Sequence, residues 1–179
     1  MDSPSRKLMT SLAFSLLAVV VFSASSAGAE FEQVHDVCRV TKDYSSCVAA
    51  LNVDPRAAKA TTFHSIGEIA LQIAAKNATA SRKYVDQMIM DPNTKPSWKP
   101  VLESCKANFD MAAWQFLTAS RELSFDAMTA NYDVRMASDE IYACLRSMRD
   151  SKQDIPPLVA ACYRVKAHVT IGDAVTNRW

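Results

Sequence analysis

The sequence predicts an all-α protein: an up-down-up-down four-helix bundle preceded by a short N-terminal helical hairpin and stapled by two disulfides. Three observations carry this expectation. Past residue 29 only Gly67 and Gly172 represent glycine, while Ala, Leu, Met, Lys and Arg are plentiful, which favours long helices over turn-rich sheets. Apolar residues recur at three- and four-residue steps over four long segments, the spacing of an amphipathic helix. Prolines stand where those segments meet, as helix starts and breaks require.

The first residues stand apart from this pattern. Arg6 and Lys7 give a positive start, and an apolar run from Leu8 to Phe22 is broken only by Thr10, Ser11 and Ser15. Small residues then lead to Ala27-Gly28-Ala29, completing the pattern of a cleaved secretory signal. At fifteen residues the run is shorter than the roughly 20 needed to cross a bilayer. Residues 1–29 are therefore expected to be removed, leaving 30–179 as one domain, with 30–53 as the hairpin and 54–179 as the bundle.

Removing Arg6, Lys7 and Asp2 from the 20 basic and 19 acidic residues leaves 18 of each. A net charge near zero with no basic block argues against nucleic acid or an anionic membrane surface as partner.

Each element can be read in turn. Asp54-Pro55 reads as an N-cap followed by Pro at the first helical position. Phe63, Ile66, Ala70 and Ile73 form the first stripe, continued through Ala80, Tyr84 and Met88 until Asp91-Pro92 stops it. Asn93 to Ser97 is a connector, and Pro100 lies in the first turn of the second helix, whose apolar side is Leu102, Cys105, Phe109, Ala113, Phe116 and Leu123. The third carries Val134, Ala137, Ile141, Cys144 and Met148. Ile155-Pro156-Pro157 breaks the chain before the fourth, marked by Leu158, Cys162, Val165, Val169, Gly172 and Val175. Short joints imply antiparallel neighbours. The segment Glu32 to Leu51 is too short for a fifth equal partner.

All five cysteines, Cys38, Cys47, Cys105, Cys144 and Cys162, follow the signal. None forms a C-x-x-C pair, which argues against zinc and thioredoxin-like chemistry. An oxidising secretory route implies two disulfides and one spare thiol. Four cysteines allow three pairings, and spacing alone does not choose among them. Cys162, set among Leu158, Val165 and Val169, reads as a buried small hydrophobe rather than a reactive thiol. Asn77-Ala78-Thr79 is a candidate N-glycosylation site, although it falls close to the apolar stripe.

Catalytic patterns are missing: no G-x-S-x-G, no H-E-x-x-H and no phosphate-cradling glycine loop. His64 has Glu68 one turn on, which suits a surface pair, and His168 stands six residues after Cys162 on another helix face. His35 lies near the N-terminus. No metal site or cofactor is expected, and the residues point to binding rather than catalysis.

The segment Val37-Cys38-Arg39-Val40-Thr41-Lys42-Asp43-Tyr44-Ser45-Ser46-Cys47 resembles the N-terminal cysteine hairpin of the plant pectin methylesterase and invertase inhibitors. Leu51-Asn52-Val53-Asp54-Pro55 resembles that family's join into the bundle. Leu102-Glu103-Ser104-Cys105 with Phe109 and Ala113 is similar to its third-cysteine helix, where Tyr usually replaces Phe109. Met136-Ala137-Ser138 up to Cys144 resembles the run before its fourth cysteine.

The resemblance implies bridges Cys38–Cys47 and Cys105–Cys144, with Cys162 unpaired. It also implies a monomer or weak dimer, secreted to the apoplast and cell wall or to the vacuole, with no membrane contact in the mature form. Its function would be stoichiometric inhibition of a protein partner. The run from Ala130 through Asn131-Tyr132-Asp133-Val134 is more similar to invertase-inhibitor-like members, so an acid invertase is the expected target and pectin methylesterase the alternative. The Pro-Lys-Phe tripeptide of some invertase inhibitors is absent. Exposed polar residues of the second and third bundle helices and their joint, Arg121, Asp126 and Arg135, are the expected contacts. A non-inhibitory helical ligand-binding module is a more distant reading, and it would require a hollow core.

Overall fold

The computed structural model describes residues 32–177; the signal expected over residues 1–29 lies outside the described residues. The elements are α1 (Glu32–Cys38), α2 (Tyr44–Leu51), α3 (Pro55–Ala58), α4 (Phe63–Met90), a 3-10 turn (Pro96–Trp98), α5 (Lys99–Glu122), α6 (Ala127–Asp150) and α7 (Pro156–Thr176). Helix α4 packs on α5, α5 on α6, α6 on α7, and α7 returns to α4, closing a four-helix ring. Its interior is filled by Ile66, Leu71, Phe109, Phe116, Ile141 and Leu158, all fully buried.

Helix starts follow from local chemistry. Asp43 caps α2 by accepting from the Ser46 N–H at 3.0 Å, and Asp54 caps α3 through Arg56 N–H at 3.0 Å. Such side chains satisfy backbone donors that have no partner within the helix. The hairpin α1–α2 is tied by Cys38–Cys47 (Cα–Cα 5.4 Å) and by a His35 Nδ1 to Tyr44 hydroxyl bond of 2.9 Å. It buries Val34, Val37 and Leu51 and packs on α4 and α7 of its own bundle.

Two expectations about the first long helix change. The Asp54 cap opens only the single turn of α3. The main helix starts afresh at Phe63, because Thr62 and Ser65 form a reciprocal capping box, with Ser65 N–H to Thr62 Oγ1 at 3.1 Å. Asp54 fastens the short turn to α4 by pairing with Arg56 at 2.7 Å and Lys76 at 3.7 Å. These cations, with the hydrogen bond from Arg56 leading, hold its carboxyl well below the usual range. The apolar stripe of α4 also does not continue through Ala80 and Tyr84, which face outward. The buried positions are Ala78, Ser81 and Val85, steps of four, three and four from Ala74 that the polar Ser81 disguises.

Cys105 and Cys144 bridge α5 to α6 with Cα atoms 4.7 Å apart. In an antiparallel pair this register sets Ala112 against Ala137 and Ala119 against Ala130, each two turns further on. All four alanines are fully buried, and small side chains permit so close an approach. At the α6–α7 seam Gly172 plays a similar part, since a Cβ there would come within 3.0 Å of Val134 Cγ1.

The bridge closes a loop with a sequence separation of 39. The chain-entropy model gives such a crosslink about 4 kcal/mol. Cys144→Ser is therefore expected to lower the melting temperature by about 10 °C. Cys162→Ala, which loses only packing, should cost a few degrees at most. Calorimetry of both variants checks this, and equal losses would contradict the assignment.

Candidate functional site

Among the described residues the two most exposed large apolar side chains, Phe125 and Met128, lie where α5 turns into α6. The joint has only four residues. Leu123 turns inward and is 4% exposed, seated over Gly67, where a Cβ would stand 2.7 Å from Leu123 Cδ2. Phe125 and Asp126 both donate their N–H groups to the Glu122 carbonyl at 2.8 Å. With Leu123 committed inward, this tight turn throws the Phe125 ring out, 90% exposed. Met128 at 83% and Tyr132 at 60% follow on one face of α6, a four-residue step apart. Trp114, 55% exposed, stands more than two turns back along α5 from the joint. Exposed aromatic and Met side chains beside arginine are the residue types enriched in protein interfaces.

Arg121 and Asp126 flank this surface, both exposed. Asp126 is not simply a free carboxylate. It caps α6, accepting from Met128 N–H at 2.9 Å and Thr129 N–H at 3.1 Å, while the Thr129 hydroxyl donates to it at 2.8 Å. The Thr129 bonds lead in lowering its pKa. Arg135 stands more than two turns along α6, exposed, and its charge reaches Asp173 of α7. Burial raises the Asp173 carboxyl, and Arg135 partly offsets that. The structure thus brings Arg121 and Asp126 together and sets Arg135 toward α7. The hairpin lies at this same end, since Val40 and Lys42 share a cleft with Asp173, Ala174 and Asn177.

Sequence reasoning passed over Phe125, Met128, Tyr132 and Trp114. A signal was present: Met128 and Tyr132 fall off the stripe of Val134, Ala137 and Ile141, and Trp114 off that of Phe109 and Phe116. Large apolar residues outside the core stripe need another partner.

A buried acid, Asp133, and a half-buried one, Glu122, lie behind the joint. Asp133 is 8% exposed, and one oxygen each of Asp133 and Glu122 is buried without a donor. Burial, then the hydrogen bond and charge of Glu122, push the Asp133 carboxyl up to about 6. Burial and a neighbouring carboxylate both disfavour the charged form of Asp133, so below about pH 6 it holds its proton. On α7, His168 is buried with Nδ1 unpartnered, and burial lowers its pKa to about 4.

Asn77 is half-buried on α4, and its Nδ2 donates to the Ile73 carbonyl at 3.1 Å. No group of three or more His, Cys, Asp or Glu among the described residues could hold a metal ion. None of the described helices is long and apolar enough to cross a membrane. A surface groove of about 570 Å³ runs between α4 and α5 past Gln72, Lys76, Thr79, Lys83 and Leu117.

Residues 32–171 match the family model described as plant invertase/pectin methylesterase inhibitor. The chain belongs to this family. It is 27% identical over 150 residues to the cell wall / vacuolar inhibitor of fructosidase 2 of Arabidopsis thaliana, covering 81% of this chain and 83% of that protein. It is 31% identical over 121 residues to the pectinesterase inhibitor of Actinidia deliciosa, covering 62% of this chain and 64% of that one. In fold it is similar to a mutant form of a pectin methylesterase inhibitor from Arabidopsis, with TM-score 0.65, 23% identity and coverage of 79% and 93% of the two chains. The names of these relatives are those of inhibitors, not enzymes.

The buried acid and the buried histidine act on stability with opposite signs. Asp133 has a raised folded pKa, so its contribution is full below about 3.8 and is lost as pH rises through about 6. His168 has a depressed one, so its contribution is full above 6.5 and is lost as pH falls through about 4. Between these limits the two slopes offset each other. Asp133→Asn should gain stability relative to the parent by about 2 kcal/mol on going from pH 4.5 to 7. His168→Gln should lose it over the same interval. Urea unfolding at both pH values reads the difference, and a parallel response of Asp133→Asn and its parent would refute the raised Asp133 carboxyl.

Proposed function

We propose that this chain is a secreted inhibitor that binds and blocks a plant acid invertase in the cell wall or vacuole. The observation that carries this reading is the match over 83% of the Arabidopsis fructosidase inhibitor, together with the apolar surface at the α5–α6 joint. Inhibition here needs no chemistry from the chain. It needs a rigid projection that fills or covers an active-site mouth, and a capped four-residue turn anchored by Leu123 supplies one. Phe125 and Met128 would bury apolar area, while Arg121 and Arg135 would face acidic groups at the rim.

A second reading, inhibition of pectin methylesterase, is favoured by the higher identity to the Actinidia protein. A ligand carrier is disfavoured: the core is one continuous packed cluster, and the groove between α4 and α5 lies at the surface. Asn77 is proposed as a glycan site. Attachment would require its bond to Ile73 to open.

Purified protein starting at Glu30 is mixed with an acid invertase and, separately, with a pectin methylesterase at pH 5–6. Stoichiometric loss of invertase activity is expected. Loss of only pectin methylesterase activity selects the second reading, and loss of neither at micromolar inhibitor refutes both. Phe125→Asp should weaken the productive complex by about 30-fold or more, as for a buried aromatic anchor. Met90→Ala, at the opposite end of α4, should leave affinity unchanged.

A further inference from the structure

The spare thiol is not isolated. Cys162 Sγ lies 3.3 Å from Cys144 Sγ, the same sulfur that bonds to Cys105 at 2.06 Å. All three cysteines are fully buried. Sulfurs from three successive helices, α5, α6 and α7, therefore meet at one level of the core, with Cys144 in the middle. We propose that Cys144 is a shared disulfide partner, and that its bridge passes between Cys105 and Cys162 by thiol–disulfide exchange within the folded chain's core.

The step is balanced without an outside reagent. The Cys162 thiol loses its proton to solvent, and its thiolate attacks Cys144 Sγ. The Cys144–Cys105 bond breaks, and its electron pair leaves on Cys105 Sγ, which takes up a proton. One thiol and one disulfide stand on each side of the equation. The covalent tie moves from the α5–α6 seam to the α6–α7 seam, both already packed.

Two features set direction and timing. Cys144 and Cys162 are 18 residues apart, against 39 for Cys105 and Cys144. Loop length acts on the unfolded chain, so within the folded core the resting pair is the one the structure shows, Cys105–Cys144 with Cys162 as the thiol. Burial pushes the Cys162 thiol from 9.0 up to about 12, leaving about a thousandfold less thiolate at a given pH. Exchange is thus frozen in an intact, acidic setting and released when the core loosens or the pH climbs. The bundle can change which seam is locked without ever losing its crosslink.

The test uses the protein from Glu30 onward at about pH 9, in urea below its unfolding midpoint, with no oxidant or reductant. Samples are quenched in acid, alkylated with N-ethylmaleimide and mapped as non-reduced peptides. The label is expected to move from Cys162 to Cys105 while a Cys144–Cys162 linkage appears, with Cys38 and Cys47 unlabelled. The rate should rise about tenfold per pH unit. Cys162→Ala should take no label at any time. Cys105→Ala, refolded in a glutathione redox buffer, should close Cys144–Cys162 and expose no thiol. A label confined to Cys162, or scattered over all five cysteines, would overturn the proposal, as would two alkylatable thiols in folded Cys105→Ala. Should that variant fail to fold, the parent's label transfer decides alone.

Discussion

Cys105 and Cys144 draw the backbones of α5 and α6 to a Cα separation of 4.7 Å, and much else follows from that approach. Only small side chains fit a seam so narrow, which is why alanines recur at Ala112, Ala119, Ala130 and Ala137, all without exposed surface. Helices held this near need only a short turn to connect them. The turn has room for one inward side chain, Leu123, so Phe125 points to solvent. The same proximity presses Glu122 against Asp133, whose carboxyl is pushed up by burial and by that neighbour. A crosslink toward one end of the seam thus sets the approach of two helices whose other end carries the projecting surface and the titrating acid behind it.

The architecture was largely legible because the helices announce themselves by period. The stripes of α6 and α7 map onto buried faces residue by residue. The first long helix was harder. Asp54-Pro55 is a genuine cap and start, but a second, stronger start at Thr62 follows it. Periodicity cannot rank two consecutive caps. Ser81 hid the continuing stripe, because a polar residue in the core looks like a surface position until its neighbours are known.

The candidate site was legible only in part, for a different reason. A contact surface is built from what the core rejects, so Phe125, Met128 and Tyr132 carry no pattern of their own. Arg121 and Asp126 were found by their place at the joint, yet Asp126 spends its oxygens on capping α6. The meeting of Cys144 with Cys162 could not be read either, since it depends on the rotation of α7 about its axis. Nor does the bundle specify a target. Relatives named for fructosidase and for pectinesterase share it, and fold alone does not select a partner.

The joints have one more consequence, for survival among hydrolases. Among the described residues every connection between successive helical segments is five residues or fewer, and several are closed by side-chain caps. A protease must draw a stretch of chain into its cleft in extended form, and cutting concentrates where loops allow that. Here the way to supply such a stretch is to unwind a helix end, against its cap and its packing. Resistance to digestion then follows from short connections rather than from high global stability. The first cleavage in a slow digest belongs between Asp91 and Lys95, where α4 has ended and the following turn has not begun.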